Sequence, residues 1–170
     1  MQIYTIGHSN HTQEEFLNLL TKAKIEVLVD VRSNPNSRWA PFASKDSLKE
    51  ILRSVQIQYI YLGDVLGGHP ADPDSYDPQT GKVDYQAIQG KEYFRRGIRQ
   101  LLDKLKKHRV CMMCAEENPT FCHRNLLVAE SLRQEGVVVF HIRGDGRIQT
   151  DEELWKEKVG VAANQYQLPL

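Results

Sequence analysis

The chain has 170 residues, 22 basic and 22 acidic side chains, and a formal net charge of +0. Its length suits one domain with a single core, and its charge balance disfavours general nucleic-acid binding, which draws on a basic excess. No apolar run approaches the ~20 residues that span a bilayer, and the start, Met1 to Gly7, lacks the basic leader of a secretory signal.

Taken in chain order, five apolar or β-branched runs alternate with amphipathic segments. The predicted strands are Ile3–Gly7, Glu26–Val31, Ile57–Leu62, Val110–Cys114 and Val137–Ile142. After the first, Thr12 and Glu15 make a capping box, and Phe16, Leu19, Leu20 and Ala23 follow at helical period. Leu48, Ile51, Leu52 and Val55 repeat that period after the second strand. A turn-rich loop over 63–82, with four glycines, three prolines and four aspartates, then separates the third strand from a longer helix. That helix is marked by Phe94, Ile98, Leu101 and Leu105. A last pair of elements is a helix from about Asn125 to Glu135, stopped by Gly136, and a short helix opened by Thr150 and Glu153. The final ten residues are expected to be loosely held. The alternation predicts a single α/β domain, with a mostly parallel sheet of about five strands covered by helices on both faces. Neither strand order nor oligomeric state is readable.

Each predicted strand ends in polar residues, and in a parallel sheet those ends share one rim, where ligands of open α/β sheets bind. His8, Ser9, Asp30, Arg32, Arg38 and the turn from Cys114 to Arg124 are therefore expected to converge. The turn carries Cys114, Glu116, Cys122, His123 and Arg124 between a strand and a helix. A helix start beside cations lowers a thiol pKa and raises thiolate reactivity. Cys114 or Cys122 is the candidate nucleophile, His123 or His8 the general acid or base, and Glu116 the group that orients it. Arg124, with Arg32, Arg38, Asp30 and Ser9, is expected to hold a small anionic ligand bearing sulfur or phosphate, Arg124 as its main contact. Two alternatives stay open: a metal site of Cys114, Cys122, His123 and His8, or a nucleotide- or phosphate-binding module without chemistry. No cofactor is specified. Cys111, among Val and Met, reads as core; Trp39 and Phe42 read as a small satellite core. Three cysteines without a disulfide framework suggest a reducing, cytoplasmic setting.

These clusters together resemble the uncharacterised DUF488 family. The matching segments are Thr5-Ile6-Gly7-His8-Ser9, Asp30-Val31-Arg32 with Pro35, Ser37 and Arg38, Tyr61-Leu62-Gly63 with Gly67-Gly68, and Cys114-Ala115-Glu116 with Pro119 and Cys122-His123-Arg124. The resemblance implies an α/β fold and leaves the activity open. A more distant resemblance is to the rhodanese domain, on Val29-Asp30-Val31-Arg32 and the succession of elements from Val110 to Gly136. In that family a compact loop of backbone N–H groups follows the nucleophilic Cys. Here nine residues, Pro119 among them, separate Cys114 from Arg124.

Overall fold

In a computed structural model, which describes residues 1–9 and 11–165 and side chains as far as Gly160, six strands form one sheet. They are β1 (Gln2–Gly7), β2 (Val27–Asp30), β3 (Gln58–Tyr61), β4 (Val110–Cys114), β5 (Val138–Ile142) and β6 (Ile148–Thr150). Their order is β3-β2-β4-β1-β5-β6. The first five are parallel; β6 pairs antiparallel with β5. The four buried residues of β2 and five of β4 explain their unbroken apolar runs, because a central parallel strand is covered on both faces. The sixth strand was not expected: three residues around the polar Gln149 carry no usable period.

The helices are α1 (Gln13–Lys22), α2 (Lys45–Ser54), α3 (Gly63–Leu66), α4 (Tyr85–Gln89), α5 (Glu92–Leu105), α6 (Glu130–Gln134) and α7 (Asp151–Gln165). The predicted capping box is present at α1: Glu15 N–H donates to Thr12 Oγ1 and Thr12 N–H to the Glu15 carboxylate. Thr150 and Glu153 make the equivalent pair at α7, which runs much longer than the short helix expected. Of the ten C-terminal residues expected to be loosely held, 166–170 lie outside the described residues, as do the side chains of 161–165. The 63–82 segment contains α3 and a 3-10 turn at Pro73–Ser75, and its Tyr76 bridges to Val83 just beyond it. Asp72 and Asp77 brace it by accepting backbone N–H groups. Gly136 closes α6 at φ +73, a backbone region that favours glycine.

Two cores sandwich the sheet. On one face Phe16 and Leu20 of α1 and Leu48 and Leu52 of α2 meet Tyr4, Ile6, Leu28, Cys111 and Met113. On the other, α3 to α6 cover Ile3, Val27, Val29, Val110 and Met112 through Leu66, Ile88, Phe94, Leu101 and Leu132. The chain leaves β1 through α1 on the first face and leaves β4 through α6 on the second. β1 and β4 are neighbours, with Gly7 level with Cys114. Opposed departures from adjacent strands open a crevice at their carboxyl ends, and both site clusters flank it.

Candidate functional site

The pleat sorts the rim residues. Side chains alternate between faces along a strand, so His8 continues the row of Tyr4 and Ile6, Asp30 that of Leu28, and Cys114 that of Val110 and Met112. The expected single convergence is therefore two clusters separated by the sheet.

On the α1–α2 face Arg32 is 5% exposed and forks onto Asp30, with Nε to Oδ1 at 2.9 Å and Nη2 to Oδ2 at 2.7 Å. Nη2 also donates to the carbonyls of Ala43 and Pro35, and Nη1 to His8 Nε2 at 3.1 Å. Tyr59 O–H completes the shell on Asp30 Oδ2 at 2.8 Å. Burial, and then the nearby Arg32 cation, push the His8 pKa down to about 4, so the ring is neutral at pH 7. Tyr59 is pushed well above the ordinary phenol range by burial and by the Asp30 charge. Arg32 and Asp30, expected as ligand contacts, thus hold one another and the loop after β2. Arg38 is exposed, and Ser9 is partly exposed at the same rim.

On the opposite face β4 delivers Cys114, 6% exposed, to the crevice. The turn after it returns through a 3-10 segment at Pro119–Phe121 and places Cys122 and His123 back over the strand end. One ligand-capable atom each of Cys114, Cys122 and His123 lies within 4.8 Å of the others. His123 Nδ1 stands 3.6 Å from Cys114 Sγ, and its Nε2 lies 2.9 Å from the Val31 carbonyl. A carbonyl only accepts, so Nε2 carries a proton, and a ring holding that one proton offers its Nδ1 lone pair to the thiol. The neighbouring Cys122 thiol, placed to act as a donor toward Cys114, and then the Arg124 charge hold the Cys114 pKa down despite burial. Cys122 is pushed far up by the same bond and by burial. Two thiols that look equivalent in sequence are thereby shifted in opposite directions, Cys114 down and Cys122 up. Cys111 is fully buried, and desolvation raises its pKa strongly, as a core thiol requires.

Arg124 is 1% exposed. Its guanidinium donates to Thr5 Oγ1 at 3.3 Å, to the Glu116 carbonyl, and to the Glu117 carbonyl at 2.7 Å. The side chain expected to be the main anion contact is turned inward and ties the thiol turn to β1. Glu116 is exposed, and the orienting role expected of its carboxylate falls to the Val31 carbonyl. His8, proposed as a fourth ligand, is outside the thiol–imidazole group: among the described residues the metal-capable set is three.

Other contributors left little trace in the sequence. Glu117 pairs with Arg143 at 2.9 Å and accepts from Gly144 N–H, bracing the turn from the β5 side. Tyr85 opens α4 with its phenol pushed up by burial and by the neighbouring Cys122, Glu116 and Cys114. A Cβ at Gly68 would come within 2.7 Å of the His123 ring, so the glycine is what lets the imidazole approach that loop. Arg124 begins a π-helical stretch, Arg124–Ala129, where a regular helix start was expected. Such turns are frequent at functional sites.

A mostly parallel α/β sheet thus carries a paired thiol and imidazole at its topological switch point. The chain belongs to the family described as domain of unknown function DUF488, whose model matches residues 12–131, more than two thirds of its length. Comparison with curated proteins and with solved structures gave no match.

Proposed function

We propose that the protein is a thiolate-dependent enzyme acting on a small substrate with an electrophilic sulfur- or phosphate-bearing centre, and that Cys114 is its nucleophile. The observation that carries this reading is the Cys114–His123–Val31 line: a thiol, a base at 3.6 Å and a carbonyl that fixes the base's tautomer. That is the nucleophile, base and orienter relation of covalent catalysis. Transfer of the thiol proton to Nδ1 gives an imidazolium–thiolate pair, which Cys122 stabilises as a hydrogen-bond donor. In a sulfur transfer, the thiolate attacks a sulfane sulfur, forming a persulfide on Cys114 and releasing sulfite from thiosulfate. In attack on a phosphate ester, the S–P bond forms as the ester bond breaks, and the imidazolium returns its proton to the leaving oxygen.

Mass spectrometry after incubation with thiosulfate or an activated aryl phosphate tests it. The expected result is a sulfur or phosphoryl adduct on Cys114, lost in Cys114→Ser and reduced in His123→Ala. Adducts confined to Cys122, or none with either reagent, contradict the assignment.

A second reading is a metal centre, favoured by the mutual 4.8 Å spacing of Cys114, Cys122 and His123. Two thiolates and one imidazole match the protein ligand set of some catalytic zinc sites, which keep a fourth position open. Stoichiometric zinc in protein purified without chelator, lost in Cys122→Ala, selects this reading over the free thiolate.

A further inference from the structure

Across the rim from the thiols, a cavity of about 390 Å³ is lined by His8, Ser9, His11, Ser37, Trp39 and Ala115 among others. His8 is 4% exposed, and its Nε2 faces Arg32. A guanidinium has no acceptor, so Nε2 must accept, and the single proton of the neutral ring sits on Nδ1. That N–H makes no hydrogen bond of acceptable geometry among the described residues, and its own backbone carbonyl acts on the ring only weakly, behind burial and the Arg32 and Asp30 charges. A buried donor without an acceptor is costly and rare; here Arg32, held by four further bonds, keeps the ring from turning to find one. Charge at this floor is balanced, because Asp30 neutralises Arg32 and His8 is uncharged at pH 7. An uncharged acceptor therefore suits it better than an anion. On the lip stands Trp39, 96% exposed. It was expected to join Phe42 in a satellite core, yet only Phe42 packs inward, against Phe16 and the edge of His8.

We propose that this cavity binds an uncharged planar ring bearing a carbonyl oxygen, a cyclic amide of the kind nucleobases contain, with the carbonyl accepting from His8 Nδ1 and the ring stacked on Trp39. The site is independent of the thiol chemistry, and its occupancy survives Cys114→Ser.

Uridine is the probe, with dihydrouridine, which keeps the carbonyls and loses the flat conjugated ring, as its control. In a Trp155→Phe background Trp39 is the sole tryptophan, and its fluorescence is quenched saturably by uridine with a Kd of about 1 mM or tighter. Dihydrouridine binds roughly tenfold more weakly, as loss of one aromatic stack predicts. ¹⁵N NMR shows the His8 Nδ1–H tautomer before addition and a shift of that proton on saturation. Trp39→Ala, a surface change that leaves folding intact, weakens the NMR-detected binding by about the same factor. Equal binding of the two nucleosides, absence of saturable quenching, or a His8 proton unmoved by uridine overturns the proposal and leaves the donor to water. Displacement of uridine by sulfate also overturns it, because the floor would then be an anion site.

Discussion

The two clusters at the carboxyl rim invert what their charges suggest. The one on the α1–α2 face holds a guanidinium, a carboxylate and an imidazole, yet Arg32 and Asp30 are matched to one another and to carbonyls of the loop after β2. The cluster on the opposite face has weaker hydrogen-bonding groups, two thiols and one imidazole, and only the imidazole is tied to the backbone, through the Val31 carbonyl. Full charge in a buried place has to be satisfied, and satisfaction immobilises it. A thiol costs less to bury unpaired, so it can be left poised. The strongest electrostatics thus build the rim, and under the proposed function the softest groups are the ones left for chemistry.

The largest effect is expected where that difference is greatest. Arg32→Ala strands Asp30, 0% exposed, without its counter-charge, and should cost about 3–5 kcal/mol in urea unfolding. Cys114→Ser, by contrast, should leave the unfolding midpoint nearly unchanged while removing the reactive thiol.

Acidification is the next lever. His8 is held near 4 in the fold against an ordinary value of 6.5, so the unfolded chain binds its proton first as pH falls. The stability present above pH 6.5 should decline between about 6.5 and 4 and level off below, a loss of at most about 3 kcal/mol from this residue. His141, lowered chiefly by burial, adds to the same direction. A His8→Gln variant should show a shallower pH slope of unfolding free energy across that window; an unchanged slope would place the proton uptake elsewhere.

The change at Arg124 strands no charge. Replacement by Met keeps apolar bulk and leaves the Glu116 and Glu117 carbonyls without their donor, at about 1–3 kcal/mol for each one that water does not reach. It should also raise the Cys114 pKa, since the Arg124 charge helps to lower it. If sulfate raises the thermal midpoint more than chloride at equal ionic strength, the exposed Arg38 is the guanidinium to remove. Arg38→Ala should shrink that difference.

Much of the frame was legible because it rests on period and capping. Thr12 with Glu15, the buried runs of β2 and β4, and Gly136 each declare their element through local chemistry. The turn from Cys114 to Arg124 was legible as a concentration of reactive side chains at a strand end. The division of labour inside it was not. Arg124 looked like an anion clamp because its sequence position at a helix start says nothing of whether the side chain turns out or in; Thr5, more than a hundred residues away, decides that. Val31 contributes a carbonyl, and backbone atoms have no sequence signature. His8 and Cys114 share a rim, but their opposite faces follow from register between β1 and β4, which composition does not reveal.

The most direct measurement is the pH dependence of iodoacetamide modification resolved by cysteine, in the native protein and in Cys122→Ala. Cys114 should react first, with a midpoint below that of an ordinary thiol, and the midpoint should rise when the Cys122 donor is removed; Cys122 and Cys111 should stay slow. Faster modification of Cys122, or a Cys114 midpoint indifferent to Cys122, would contradict the assignment of Cys114 as the poised thiolate.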